Sequence, residues 1–195
     1  MRLFDPLPDG VTVRGRKVRC DFDFRNVLRM LWTLSREDLT DEARIALAAG
    51  CVVKRPRKDA AEIVREATRV LFGETRAKST HERVTDFDQD ADYIRAAFLQ
   101  EYGINLFRDR LHWCEFSTLL SCLPEGSRYT EILGIRSRPM PKPTKYNQEE
   151  RKWLAKAKAD FALKLTDRER EEKLKDSLRS VALSLLSLAE TGGGE

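Results

Sequence analysis

The sequence predicts a mainly α fold: a helical domain with a small N-terminal β-hairpin and a C-terminal helical extension. Three observations predict it. Apolar residues recur at three- and four-residue spacing in segment after segment. Period-two alternation is confined to one short stretch near the N-terminus. A proline-rich stretch, RSRPMPKPTKYN, separates most of the chain from a last pair of helical blocks. The expected organisation is a helical core with the hairpin over 1–136, a Pro-rich linker over 137–147, amphipathic helices over 148–190, and a flexible tail over 191–195.

The elements follow in order. VTVRGRKVRC (11–20) reads as a hairpin, with Val11 and Val13 alternating, Gly15 in the turn, and Val18 and Cys20 alternating after it. DFDFRNVLRMLWTL opens a helix capped by Asp21 or Asp23, with Phe24, Val27, Leu28 and Leu31 on one face. LTDEARIALAAG is a second helix, opened by Thr40 or Asp41 and closed by Gly50. In the third, KDAAEIVREATRVLFG, Asp59 and Glu62 have capping-box spacing, Ile63, Ala67 and Val70 share a face, and Gly73 ends the run. Residues 74–85 are polar and aperiodic and read as a mobile loop.

FDQDADYIRAAFLQEYGINL is the fourth helix. Its acidic start suits the positive end of the helix dipole, and Ile94, Phe98 and Tyr102 recur every fourth residue. Gly103 supplies a left-handed terminus onto which Ile104 folds back. LHWCEFSTLLSCL is the fifth helix, stopped by Pro124, with Trp113, Phe116, Leu120 and Leu123 as its buried stripe. SRYTEILGIR is a short helix or strand. Beyond the prolines, one block runs from Gln148 to Leu165 with Trp153, Leu154, Ala157 and Phe161. A second runs from Asp167 to Glu190, where Leu174, Leu178, Val181, Leu185 and Leu188 step in a heptad-like seam.

Composition narrows the function. With 195 residues, 41% hydrophobic and 35% charged, the chain can bury a core beneath an unusually ionic surface. The 36 basic and 32 acidic residues leave a net charge of +4, too balanced for the one-sided basic excess of a DNA-binding domain. No apolar run approaches the roughly 20 residues of a membrane-spanning helix. The opening MRLFDPLPDG has no apolar signal core. The expectation is a cytoplasmic protein with reduced cysteines.

Four stretches invite a chemical reading. Cys114 and Cys122 are eight residues apart, so a straight helix sets them about 12 Å apart along its axis, too far to share one zinc ion. No CxxC pair is present. His112 and Glu115 face each other at three-residue spacing, and nothing cationic near Cys114 would activate its thiol; both cysteines read as packing residues. DFDQDAD (86–92) begins like a calcium loop, but Ala91 and Ala97 stand where such a loop needs glycine and glutamate, so an acidic helix cap is the better reading. KRPRK (54–58) reads as a solvated connection broken by Pro56. There is no Walker loop, GxSxG, HExxH or GxGxxG, so no enzyme, cofactor or metal is expected. The leucine seam Leu174, Leu178, Val181, Leu185 and Leu188 is the candidate partner surface, packing either in cis or against another chain.

The combination of VTVRGRKVRCDFDFRNVLRML, FDQDADYIRAAFLQEYGINL and LHWCEFSTLLSCLPEGSRYTEILGIR resembles the bacteriophage gp-fifteen-type family of siphophages and prophages of Gram-positive bacteria. The resemblance spans most of residues 8–165. Its most specific parts are FDQDADYIRAAFLQEYGI and LHWCEF followed by LPEGS. Cys114 departs from a second aromatic usual after the tryptophan, and Cys122 from a small residue usual before LP. The resemblance implies a tail assembly chaperone that binds the tape-measure protein and helps tail-tube subunits assemble, acting in the host cytoplasm and absent from the mature virion. Homo-oligomers fit that role, whereas membrane and nucleic acid are not expected partners. The alternatives are a structural connector of the phage tail or neck, and a nucleic-acid-binding regulator suggested by the Arg and Lys clusters. The resemblance also raises the question of a translational slip site at the terminal GGGE, which the codons would answer.

Overall fold

The computed structural model describes residues 4–55, 58–73, 83–165 and Lys175. The fold is mainly α, with one two-stranded antiparallel sheet at its start. Strands β1 (Gly10–Val13) and β2 (Arg16–Arg19) pair in the register Val11↔Val18 and Val13↔Arg16. The two-residue turn between them places Arg14 at φ 49° and Gly15 at φ 73°. Positive φ at both central positions is what a type I′ turn requires, and it matches the twist of the strands. Val11, Val13 and Val18 all point inward and are buried.

Helices α1 (Phe24–Ser35), α2 (Asp41–Val52) and α3 (Ala60–Phe72) follow the hairpin. Asp23 caps α1, its side chain accepting from the Arg25 amide, and Thr40 caps α2 by accepting from Ala43. The buried stripe of α1 is Phe24, Val27, Met30 and Thr33, whereas Leu28 and Leu31 are half-buried. The threonine is accepted inside because its hydroxyl donates to the Arg29 carbonyl (2.7 Å). α2 runs through Gly50 to Val52. Gly50 is an ordinary helical residue, so its expected role as the stop is corrected. The helix instead ends where the Asp21 amide donates to the Val52 carbonyl (2.8 Å), tying its last turn to the strand exit. In α3 the buried residues are Ile63, Val64 and Ala67, and Val70 is exposed. Asp59 makes no side-chain cap. Its carboxylate pairs with Arg14 (3.2 Å), which also meets Glu62 (3.4 Å), clipping the hairpin turn to the start of α3.

Helix α4 (Ala91–Tyr102) buries Ile94, Ala97 and Phe98. It closes as the sequence predicts. Gly103 is left-handed at φ 67°, its amide donates to Leu99, and the Ile104 amide donates to Phe98 (3.2 Å). Helices α5 (Trp113–Ser121), α6 (Arg128–Ser137) and α7 (Gln148–Asp160) complete the described elements. Segment 127–136, open between helix and strand on sequence, is therefore helical from Arg128 on.

The chain forms two compact units. Of the described residues, one unit comprises those up to Arg83 with Asp90–Leu133, the other Val84–Gln89 with those from Gly134 on. In the first, α1 packs on α2, α2 on α3, α3 on β1, and α1 also meets α5. In the second, Arg136 donates to the Phe161 carbonyl (2.6 Å) and to the Val84 carbonyl (3.0 Å). Gln89 pairs with the backbone of Lys164, accepting from its amide at 2.7 Å. Leu154 and Ala157 of α7 are buried, while Trp153 faces out. The helix ends at Asp160, short of Leu165. Among the described residues no helix is long and apolar enough to cross a membrane.

Candidate functional site

The two stretches richest in distinctive residues, CDFDFR and RLHWCEF, meet in space. Asp23 and His112 form an antiparallel bridge. The Phe24 amide donates to the Leu111 carbonyl (2.9 Å), and the Trp113 amide to the Phe22 carbonyl (2.8 Å). Around this bridge lies an ionic clasp. Arg110 forks both oxygens of Asp21 (2.8 and 2.9 Å) and reaches Asp23 (3.4 Å). Arg25 meets both oxygens of Asp23 (3.3 Å each) and donates to the carbonyls of Leu106 (2.8 Å) and Asp109 (2.7 Å). The Asp23 carboxylate is almost wholly buried, and these hydrogen bonds and ion pairs offset the cost of that burial.

Inside the clasp lies an aromatic cluster centred on Phe116. Its ring stacks on Phe24 (4.7 Å) and Phe98 (5.2 Å) and lies 5.7 Å from Trp113. Phe72 extends the group edge-on to Trp113, and Tyr102 edge-on to Phe98. The Tyr102 hydroxyl donates to the Leu119 carbonyl (2.9 Å). The predicted stripe is thus buried at Trp113, Phe116 and Leu123, with Leu120 and Tyr102 half-buried.

His112 stands at the helix start instead of on its face. Its Nδ1 accepts from the Cys114 amide (3.1 Å), and the Glu115 carboxylate accepts from the His112 amide (3.0 Å), a reciprocal cap. With Nδ1 an acceptor, Nε2 carries the proton and donates to the Pro8 carbonyl (3.0 Å). The imidazole therefore engages backbone on both sides and meets the Cys114 amide instead of its thiol. Burial, and then the charge of Glu115, push the Cys114 thiol above its ordinary pKa, which keeps it protonated. Cys122 caps the C-terminus of α5 and is exposed, so the packing role expected for it is corrected: the helix ends one residue earlier, turning that side chain to solvent.

Next to the clasp an open cleft of about 310 Å³ is lined by Pro8, Cys20, Asp21, Arg110 and His112, among others. Burial opposes ionisation of Asp21, but the Arg110 hydrogen bonds, the Asp23 amide and the charge of Lys54 together hold its pKa below the ordinary carboxylate value. A carboxylate favoured in the folded state stabilises it at neutral pH, and that contribution fades as pH falls below about 4 through the lowered value. The melting temperature of the wild type should therefore fall more steeply as the pH drops below about 4 than that of Asp21→Asn. Parallel profiles for the two proteins would refute a stabilising role for this pair.

The acidic run near 86–92 is a turn. The Asp86 carboxylate accepts from the amides of Asp88 and Gln89 (2.9 Å each), Asp90 is fully buried at the start of α4, and only Asp92 lies in the first turn. Among the described residues no three of His, Cys, Asp and Glu are grouped to hold a metal ion. Lys54 and Arg55 of the basic run are exposed in the connection between α2 and α3. Leu174, Leu178, Val181, Leu185 and Leu188 lie outside the described residues.

Fold and site define a class: a small helical protein whose distinctive residues build a backbone bridge, an ionic clasp and an aromatic core. The chain matches the model of the family described as Bacteriophage Gp15 protein over residues 3–163, and it belongs to that family. Membership supports a part in phage structure or morphogenesis. No curated protein and no solved structure matches the chain.

Proposed function

We propose that this protein is a non-enzymatic phage tail assembly chaperone. It binds the tape-measure protein in the host cytoplasm, helps tail-tube assembly along it, and is absent from the mature virion. The observation that carries this reading is the leucine seam of Leu174, Leu178, Val181, Leu185 and Leu188 in a chain of a bacteriophage family. An extended helical client exposes apolar stripes that aggregate in water. An amphipathic segment repeating leucine at heptad spacing can cover such stripes reversibly, and many copies on one client add avidity.

Replacing Leu178 and Leu185 with Lys should abolish self-association or leave a co-expressed tape-measure protein insoluble, with the helical signal of the domain before Pro139 intact. Unchanged size by light scattering together with an unchanged soluble client would sink the reading. Peptides of this chain in purified virions would favour a structural connector of the tail or neck instead.

A further inference from the structure

The proline-rich stretch before α7 is buckled down. Asn147 accepts from the Thr144 amide (2.9 Å) through its side-chain oxygen and donates to the Lys142 carbonyl (2.9 Å) through its nitrogen. Arg151 donates to the Pro141 carbonyl, and Arg138 pairs with Glu150 (2.6 Å). These bonds fix a loop that no core requires, and the loop presents Tyr146 at 94% exposure. On α7 itself Trp153 is 57% exposed. Large exposed aromatics on an ordered backbone are the usual anchors of protein interfaces, because with two side-chain torsions each they cost little conformational entropy to dock.

The charge around them is specific. Lys142, Lys145 and Lys156 are exposed and make no ion pair among the described residues. On this stretch Glu149 pairs with Lys152 (2.8 Å) and Glu150 with Arg138, and the exposed Asp160 is outnumbered by the three lysines. The excess charge is therefore positive and calls for an anionic partner. Glu149 and Glu150 also lie one turn before Trp153 on the same helix. A nucleic-acid strand, with a charge on every phosphate, would meet them as it tracked the aromatics. A polypeptide can place its carboxylates opposite the lysines alone and its apolar side chains on the rings.

We infer that the loop and outer face of α7, through Tyr146, Trp153, Lys142, Lys145 and Lys156, form a docking surface for an acidic, amphipathic segment of a partner protein. This surface is distinct from the leucine seam and does not depend on the tail-assembly reading.

The test uses the full chain and three labelled probes followed by fluorescence anisotropy: a synthetic helical peptide of Glu and Leu, the same peptide with Lys for Glu, and an oligothymidylate. The Glu peptide should bind and the Lys peptide should not. Trp153→Ala should weaken binding about tenfold or more, and joint Lys142→Glu, Lys145→Glu and Lys156→Glu should abolish it. All these side chains are exposed, so circular dichroism should show unchanged helix content. Tyr146→Ala serves as a second probe should Trp153→Ala lose helicity. Failure of the Glu peptide to bind, or binding indifferent to both aromatic substitutions, would overturn the inference. Tighter binding of oligothymidylate than of the Glu peptide, lost with the same aromatics, would overturn it in favour of a nucleic-acid surface.

Discussion

Replacing Phe116 with alanine is expected to destabilise the fold by about 3–5 kcal/mol, the range for emptying a large buried aromatic site. Phe116 is 1% exposed and touches rings from three other positions, Phe24, Phe98 and Trp113. These rings lie on α1, α4 and α5, so the cavity would open where three helices are held at once. None can collapse into it without moving its own element, so relaxation recovers little. Stacking adds to the burial that is lost. Urea denaturation monitored by circular dichroism measures the effect. Cys122→Ser is the control, expected within about 0.5 kcal/mol because that side chain faces water. A Phe116→Ala midpoint close to that of the control would refute the central place given to this ring.

Asp23→Ala is expected to cost about 3 kcal/mol. The carboxylate caps α1 through the Arg25 amide (3.1 Å) and accepts from the Arg25 and Arg110 guanidiniums. Removing it leaves Arg25 partly buried without its carboxylate, and breaking a buried pair from one side is the expensive way to break it. Asp23→Asn keeps an oxygen for the cap and should recover about 1 kcal/mol of the loss. Chemical denaturation of the three proteins orders them. An alanine variant as stable as wild type would show that the clasp is ornamental.

Most elements were legible because their signals are local. The Gly103 closure, the Asp23 and Thr40 caps and the hairpin register depend on residues within a few positions of one another. Two residues depart from their local reading because their side chains are committed to distant partners. Asp59 has cap spacing but turns to Arg14, and His112 reaches back to Pro8. Gly50 looks like a stop, yet the packing of α2 carries the helix two residues further. Met30 displaced Leu28 from the α1 stripe because neighbouring helices, and not the spacing within α1, decide which side is inward. The Arg110–Asp21 pair has no sequence signature, since its members are 89 residues apart. Tyr146 and Trp153 were hidden for the opposite reason. Aromatic residues suggest burial, and only the placed backbone shows them turned to water.

That 89-residue separation bears on the order in which the molecule assembles. The hairpin and the α1–α2 pair close short loops and can form early. The bridge at Asp23 and His112 must first close a long one, an entropic toll that grows only as the logarithm of its length but falls due before any of its bonds form. The expected order therefore places the clasp after the hairpin and the α1–α2 pair. On that order, loosening it is expected to speed unfolding more than it slows folding, so that its residues bear chiefly on how long the native state lasts, which stopped-flow refolding and unfolding of Asp23→Ala would measure.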